Sequence, residues 1–255
     1  MLGFTNSRRP MSVLLMIAFA PSAAMLGQPP VPAQHSGTST ETLTYTIEWR
    51  LITAGSAKIE NTGSHLTMHL ESAGLVSKLY KVDDTYNVNY DPGYCATSLH
   101  LDATEGRRKR DTRVTFERNR KKADYLERDM LSNSVVKQTQ IDVPSCVHDI
   151  AGALISLQGA RIDLGHSMEL PVSDGKKVAM VRVEAQEKEQ VKIKGKNVPT
   201  VRYEGFLFNN IIYSRKARLF IWFTDDARKT PVQIQIRMNF PIGTVTLTLD
   251  KEEHS

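Results

Sequence analysis

The chain has 255 residues, of which 40% are hydrophobic and 24% are charged, and its formal net charge is +5 at pH 7. This length suits one sizeable domain behind a short leader. Beyond the N-terminus no apolar run reaches the roughly 20 residues that a transmembrane helix needs, which excludes helical spans in the body of the chain.

Residues 1–24 have the pattern of a secretory signal peptide. Arg8 and Arg9 form a positive start, residues 13–20 form a short apolar core, and the small residues Ser22 and Ala24 predict cleavage after Ala24. A retained membrane anchor is the alternative, although the apolar core is too short to span a bilayer. We therefore expect an exported protein, most naturally periplasmic, whose net charge falls to about +3 once both arginines are removed.

Residues 25–40 are rich in Pro, Ser, Gly and Thr and contain no Lys, Arg, Asp or Glu. Such a composition predicts a flexible tether rather than a folded element. The sequence after it predicts a single β-rich domain over residues 41–251.

Alternation of apolar and polar residues, the pattern of half-buried strands, begins at residues 43–49 and recurs at 66–70 and 86–90. The small residues at 54–57 predict a bend or bulge where two backbones approach closely. The Asp-Pro-Gly sequence at 91–93 predicts a tight turn, after which residues 94–101 return as a strand.

One segment has helical periodicity instead. Ser145 is the predicted N-cap, Asp149 lies early where the helix dipole favours an acid, and Gly159 is a natural end. The apolar residues recur at helical spacing, at Val147, Ile150, Ala151, Leu154 and Leu157. The pattern predicts one short amphipathic helix.

The last third of the chain alternates again. Residues 167–172 and 178–185 flank an Asp-Gly hairpin signal, and residues 219–223 are apolar on both faces, as in a well-covered central strand. Strands at 232–238 and 244–249 complete the pattern. The fold class predicted is mainly β, a strongly curved antiparallel meander sheet in the form of an open or half barrel, with one helix.

The two cysteines, Cys95 and Cys146, are an even pair in a chain that we expect to be exported. In an oxidising compartment such a pair predicts one disulfide, and two buried free thiols are the alternative. Neither cysteine has a second Cys or a paired His at ligand spacing, so we predict no metal site.

Positive charge is concentrated in residues 105–128, which contain ten Lys or Arg against five Asp or Glu. We interpret this stretch as a solvated hairpin, and attraction to anionic lipid, lipopolysaccharide or an acidic polymer is the alternative. Aromatic residues do not interleave with the basic ones there, so we predict no nucleic-acid partner.

Adjacent carboxylates at Asp225 and Asp226, followed by Arg228, are the feature most like a site. Paired carboxylates can bind a hard cation or carry out acid–base chemistry. Neighbouring residues in a strand point to opposite faces, however, and the surrounding residues have the composition of a hairpin loop in which Asp caps its own turn. We interpret the three residues as structural.

Four aromatic residues in predicted strands are candidates for an apolar binding groove: Tyr45, Trp49, Phe220 and Trp222. Packing in the core is the alternative, because aromatic residues dominate cores. One small helix would be a thin cover for so large a sheet, which favours the groove.

Three stretches together resemble the bacterial exported family catalogued as domain of unknown function 3108. They are LTYTIEWRLITAGSA at 43–57, PSCVHDIAGAL at 144–154 and IWFTDDARKTPVQI at 221–234. The resemblance covers nearly all of the predicted domain, but the Tyr-rich helix end common in the family is Leu-Ile-Ser-Leu here, at 154–157. It implies an exported curved sheet, similar to periplasmic carriers of lipids and lipoproteins, and no established activity.

Three functions follow as hypotheses. The first is a non-enzymatic envelope protein that binds a hydrophobic or amphipathic ligand, or an outer-membrane partner, in the concavity of its sheet. The second is a structural or assembly factor acting through the basic stretch at 107–128. The third is a hydrolase of an envelope polymer, for which the sequence offers no catalytic set, G-x-S-x-G elbow, phosphate loop or cofactor signature.

Overall fold

The computed structural model describes residues 40–239 and 243–255, so the predicted signal peptide and tether lie outside the described residues. The described part contains two helices, α1 (Gly74–Leu79) and α2 (Ile150–Gly159). The strands are β1 (Glu41–Trp49), β2 (Ile52–Asn61), β3 (His65–Ser72), β4 (Val82–Asp91), β5 (Cys95–Glu105), β6 (Arg108–Glu117), β7 (Lys122–Asp129), β8 (Ser134–Asp142), β9 (Ser167–Ser173), β10 (Val178–Ile193), β11 (Lys196–Gly205), β12 (Ala217–Thr224), β13 (Pro231–Met238) and β14 (Thr244–His254).

All 14 strands form one antiparallel sheet in the order β8-β7-β6-β5-β4-β3-β2-β1-β14-β13-β12-β11-β10-β9. Every neighbouring pair is consecutive in sequence except β1 and β14, whose pairing joins an N-terminal meander to a C-terminal one. The sheet does not close, and β8 and β9 are its two edges. The predicted fold class, an unclosed antiparallel meander, is confirmed.

The segment between β8 and α2 brings the two halves of the sheet together. The backbone N–H of Ala96 in β5 donates to the carbonyl of Val147 at 2.8 Å. One residue later, His148 forms a parallel bridge with Val172 in β9, with its N–H 2.9 Å from the carbonyl of Pro171. One short segment therefore contacts strands from both meanders, and α2 follows directly from it.

The start of α2 differs from the prediction. Asp149 is the N-cap, with extended backbone angles and a side chain that accepts from two backbone N–H groups, so Ser145 is not the cap and the helix begins at Ile150. The residues before the cap are not helical, because the backbones of Val147 and His148 form hydrogen bonds with β5 and β9. The predicted end at Gly159 is correct.

The short helix α1, between β3 and β4, was not predicted. It has six residues, too few to show helical periodicity, and none of its side chains is buried. The backbone N–H of Ala73, just before it, donates to the carbonyl of Ala54 at 2.8 Å, which holds the helix against β2.

The close backbone approach predicted at residues 54–57 is present. The register between β1 and β2 shifts between Ile47 and Glu48, and a Cβ added to Gly55 would overlap the carbonyl of Glu71 in β3. A side chain at this position would therefore separate β2 from β3, which explains the glycine.

The core lies against α2 and the strands around it. One cluster of buried side chains belongs to β3–β7, a second to β9–β12 with Leu157 of α2, and a third to β1, β2 and their neighbours. Ala151 and Ile155 of α2 pack against the first cluster, and Ile150 and Leu154 pack against the second. The helix therefore fills space between the two halves of the sheet.

Because every strand pair is antiparallel, the connections alternate between two ends of the sheet. We call proximal the end that holds the pair Thr40 and Ser255, whose backbones exchange two hydrogen bonds of 2.8 and 3.1 Å. We call distal the opposite end, which carries the connections β1–β2, β3–β4, β5–β6, β7–β8, β9–β10, β11–β12 and β13–β14.

Candidate functional site

The carboxylate of Asp149 is the centre of a buried polar cluster. Its two oxygens accept from the Tyr86 hydroxyl at 2.7 Å and the Tyr90 hydroxyl at 2.9 Å. They also accept from the backbone N–H groups of Ala151 and Gly152, both at 3.0 Å. Asp149 is only 1% exposed, and its four donors come from β4 and from the first turn of α2.

These contacts give the cluster a structural role. Burial raises the pKa of the Tyr86 and Tyr90 hydroxyls, and the charge of Asp149 raises it further, so both remain protonated donors. The helix N-terminus also favours a negative charge at this position. With both oxygens occupied, Asp149 joins the helix to the sheet and has little capacity left to act as a base.

The other end of α2 is held by a lysine from the β12–β13 turn. The Lys229 ammonium donates to the carbonyls of Leu157 at 3.1 Å and Ala160 at 2.6 Å. It also lies 5.1 Å and 5.5 Å from the ring centroids of Tyr203 and Phe223. Burial lowers the pKa of Lys229, while the two helix carbonyls and the aromatic faces interact favourably with its ammonium.

The Asp225–Asp226 pair lies in the same turn. One oxygen of Asp226 accepts from the Thr224 hydroxyl at 2.8 Å and from the N–H groups of Arg228 and Lys229 at 3.0 and 3.1 Å. The Thr224 bond is the main reason that the pKa of Asp226 lies below its usual value. Asp226 thus shapes the turn that presents Lys229 to α2.

Asp225 and Arg228 have partners of their own. Asp225 pairs with Lys188 at 2.7 Å, and the guanidinium of Arg228 donates to Glu252 at 3.0 Å. The two carboxylates therefore do not converge on a common point, and their arrangement offers no acid–base pair. The contacts are those expected of a structural loop.

One group among the described residues has the spacing of metal ligands. The side chains of Glu41, Glu252 and His254 each offer an atom, and these atoms lie within 4.8 Å of one another. The same Glu252 oxygen also accepts from Arg228, and it lies 2.9 Å from His254 Nε2. The positive charge that a cation would supply is already provided there by the guanidinium.

A disulfide joins Cys95 and Cys146, as predicted, across a sequence separation of 51 residues. Cys146 lies three residues before the helix cap, in the segment that contacts both halves of the sheet. The bridge therefore fixes the approach to α2 onto β5, one residue from the Ala96–Val147 hydrogen bond.

The four predicted groove aromatics come together in one packed cluster. Tyr45, Phe220 and Trp222 are buried, Trp49 is partly buried, and the Tyr45 hydroxyl donates to the carbonyl of Pro231 at 2.8 Å. The guanidinium groups stacked nearest to the Phe220 ring lie 4.6 and 4.7 Å away. These contacts are those expected of side chains packed in a core. A binding groove at these four residues stays a prediction.

The inner face of the sheet is occupied by side chains and by α2. Two cavities stand out in the described ranges, and both are small. The larger, of about 210 Å³, is lined by Asp111, Arg113, Leu126, Arg128, Met130 and Asn133 at the β7–β8 hairpin. The smaller, of about 10 Å³, lies near Cys95. Both are smaller than the roughly 300–1,000 Å³ of typical small-molecule sites.

Exposed apolar side chains are concentrated at the distal end. Of thirteen large hydrophobic residues exposed in the described ranges, twelve lie in or within three residues of a distal connection, and only Leu164 lies at the proximal end. The twelve are Leu51, Ile52, Leu75, Leu79, Tyr80, Met130, Leu131, Val135, Val136, Met180, Ile211 and Tyr213. Scattered exposed apolar residues are ordinary, but such a one-sided distribution makes the distal end the candidate interaction surface.

Five of the twelve lie at the β1–β2 hairpin and at α1, and we call them the apolar patch: Leu51, Ile52, Leu75, Leu79 and Tyr80. Leu51 is 94% exposed, Leu79 83% and Leu75 69%. Sequence reasoning missed this surface, because it did not predict α1. It also missed Tyr86, Tyr90 and Lys229, for which the inward position of the two tyrosines within an alternating strand was the only available signal.

The fold is an antiparallel β-meander with one helix, α2, packed between its two halves. Contacts with β4 and with the β12–β13 turn hold the two ends of this helix. The chain belongs to the family described as protein of unknown function (DUF3108), whose profile matches residues 44–250, so the predicted family is confirmed. None of the curated proteins matches the chain.

Two solved structures are similar. The crystal structure of a beta-barrel-like protein of domain of unknown function DUF1849 from Brucella abortus aligns with a TM-score of 0.53 at 10% identity, covering 86% of this chain and 98% of that one. A DUF1329 family protein from Desulfovibrio piger covers 87% of both chains at 8% identity and a TM-score of 0.28. The first supports the fold alone, and the second carries no structural argument.

Among the described residues, neither helix is long and apolar enough to cross a membrane.

Proposed function

We propose that this is an exported, non-enzymatic binding protein of the cell envelope that engages a hydrophobic or amphipathic partner through its distal end. The observation that carries the proposal is the one-sided distribution of exposed apolar side chains, twelve of thirteen at one end. Export is supported by the signal-peptide pattern of residues 1–24 and by the disulfide, since disulfides persist in oxidising compartments. A periplasmic location follows for a cell with two membranes.

Because α2 and buried side chains pack against the inner strands, we place the binding site on the surface and not in the concave face. The sequence favoured a ligand within the concavity, but α2 and the packed clusters occupy that space. A partner bound at the distal end needs no internal cavity, and it covers side chains whose exposure to water is unfavourable.

Site-specific photocrosslinking in living cells tests this proposal. A photoreactive amino acid at Leu75 or Leu79, in the apolar patch, should give crosslinks to envelope components. The matched control is the same probe at Leu164, which is exposed but lies at the proximal end. Equal crosslinking at both ends, or none at either, would contradict the proposal.

A second test uses substitution. Replacing both Leu75 and Leu79 by Ser should release the protein from the envelope fraction, whereas Leu164→Ser should leave its distribution unchanged. All three side chains are exposed, so we expect changes in stability of no more than about 0.5 kcal/mol.

A further inference from the structure

We propose that the distal end docks on an anionic lipid bilayer, with the apolar patch entering the interface and nearby basic side chains engaging lipid phosphates. This inference rests on the proposed function and names the partner. Four observations support it. The apolar patch is continuous with a basic turn, the charges of that turn are unpaired, the leucines of the patch protrude separately, and the β1–β2 turn is strained.

The apolar patch and a basic turn form one continuous surface. The backbone N–H of Gly106, in the β5–β6 turn, donates to the carbonyl of Lys81 at 2.7 Å. A Cβ added to Gly106 would lie 2.7 Å from the Tyr80 ring, so that aromatic side chain rests directly on the turn. The next three residues, Arg107, Arg108 and Lys109, are what we call the basic turn.

The charges of the basic turn are available to a partner. The side chains of Arg107, Arg108 and Lys109 are exposed and make no ion pair or hydrogen bond with any residue in the described ranges. The same is true of Lys78 in α1, beside Leu79. By contrast, Arg110 one residue later is paired with Asp129 and Glu127. Unpaired cations beside exposed leucines complement a surface that is negative outside and apolar inside.

The shape of the patch favours a bilayer over a folded protein. Its leucines protrude from separate elements, Leu51 at the tip of the β1–β2 hairpin and Leu75 and Leu79 on α1. Protruding tips suit a soft, deformable medium, in which each tip is covered independently. A protein partner would need a complementary concavity for each tip.

The β1–β2 turn holds its two residues in an unfavourable backbone conformation. Arg50 and Leu51 both have positive φ, at 50° and 67°, in a two-residue hairpin where Asn-Gly is the favoured sequence. Leu51 is thus in a left-handed conformation that disfavours it and is also 94% exposed. With so little of its side chain buried, Leu51 gains almost no packing within the chain to offset this strain, which favours a contact made outside the chain.

Vesicle co-sedimentation of the purified protein tests the inference. We expect binding to vesicles of phosphatidylcholine with about one third phosphatidylglycerol, and binding at least tenfold weaker to phosphatidylcholine alone. Raising the salt from 50 to 500 mM should weaken binding several-fold, because exposed charges are screened.

Two variants separate the charge and apolar contributions. Replacing Arg107, Arg108 and Lys109 together by Gln should weaken binding at least tenfold, since each cation near an anionic surface contributes about fivefold. The matched control removes three unpaired charges from the proximal end, at Lys121, Lys192 and Lys196, and should leave binding within about twofold. The two triple variants have the same net charge.

Leu51→Gly separates a loss of membrane contact from a loss of stability. Glycine relieves the positive φ, so the thermal midpoint should stay the same or rise while vesicle binding falls several-fold.

The outcomes are distinct. Equal binding to neutral and anionic vesicles, or equal loss with both triple variants, overturns the inference. If anionic vesicles do not bind but Leu75 crosslinks to a protein in cells, the partner is a protein and the proposed function stands. If the protein neither binds anionic vesicles nor crosslinks in cells, both this inference and the proposed function are wrong.

Discussion

Replacing Asp149 by Ala should be among the most damaging changes to the fold of this domain. The substitution removes the acceptor for two tyrosine hydroxyls and two backbone N–H groups, at distances of 2.7–3.0 Å. It leaves those donors in a region where Asp149 itself is 1% exposed, so water cannot readily replace the carboxylate.

The size of the effect follows from these contacts. A hydrogen bond to a charged group contributes about 1.5–3 kcal/mol, and loss of an N-cap costs about 1 kcal/mol. The contributions are not additive, because the four donors share one carboxylate, so we expect a loss of about 3–5 kcal/mol. With a urea m-value of about 3 kcal/mol/M, the unfolding midpoint falls by roughly 1–1.7 M.

Urea unfolding followed by tryptophan fluorescence measures this loss, since Trp49 and Trp222 lie in one core cluster. Asp149→Asn should cost only about 1–2 kcal/mol, because Asn is as good an N-cap as Asp and keeps one acceptor oxygen. Asp225→Ala is the matched control, removing a surface ion pair with Lys188 that contributes about 0–1 kcal/mol. The reasoning is refuted if Asp149→Ala costs no more than Asp225→Ala, or if the Ala and Asn variants are equal.

Three further predictions use the same assay. Lys229→Met keeps the packing of the side-chain stem but removes two hydrogen bonds to the end of α2, so stability should fall by about 1–2 kcal/mol. Replacing Cys95 and Cys146 together by Ser should cost up to about 4 kcal/mol, the loop-closure contribution for a separation of 51 residues. Burial, reinforced by the Glu105 carboxylate, raises the pKa of Asp84 to about 6, so the folded state gains stability as pH falls from 7 towards 4. Asp84→Asn should therefore stabilise the domain at pH 7 by about 1 kcal/mol, a value discounted for partial exposure, and should remove that gain on acidification.

Each of these has an outcome that contradicts it. Lys121→Met at an exposed turn is the control for Lys229→Met, and equal effects would show that Lys229 does not hold the helix. If the urea midpoint is the same with and without reductant, the disulfide does not contribute to stability. If Asp84→Asn destabilises the protein at pH 7, the Asp84 carboxylate is favourable in the folded state, and the predicted direction of the stability change is wrong.

Much of the architecture followed from local sequence patterns. Two-residue alternation in segments such as 43–49 and 232–238 depends only on which face of a strand is buried, so it predicted an antiparallel meander from the sequence. The close approach at Gly55 and the disulfide were likewise visible, because residue type and compartment constrain them directly. The start of α2 was misplaced, because the backbones of Val147 and His148 form hydrogen bonds with strands distant in sequence.

The sequence by itself therefore determined the class of fold, the family and the cysteine pairing, all of which depend on short-range pattern and composition. Only the tertiary structure decided how α2 is held: Asp149 meets Tyr86 across 63 residues, and Lys229 meets Leu157 across 72. It also decided that α2 packs between the two halves of the sheet and that most exposed apolar side chains lie at one end, since alternating strands bring distant turns together. These features depend on contacts between residues far apart in the chain, which local periodicity does not encode.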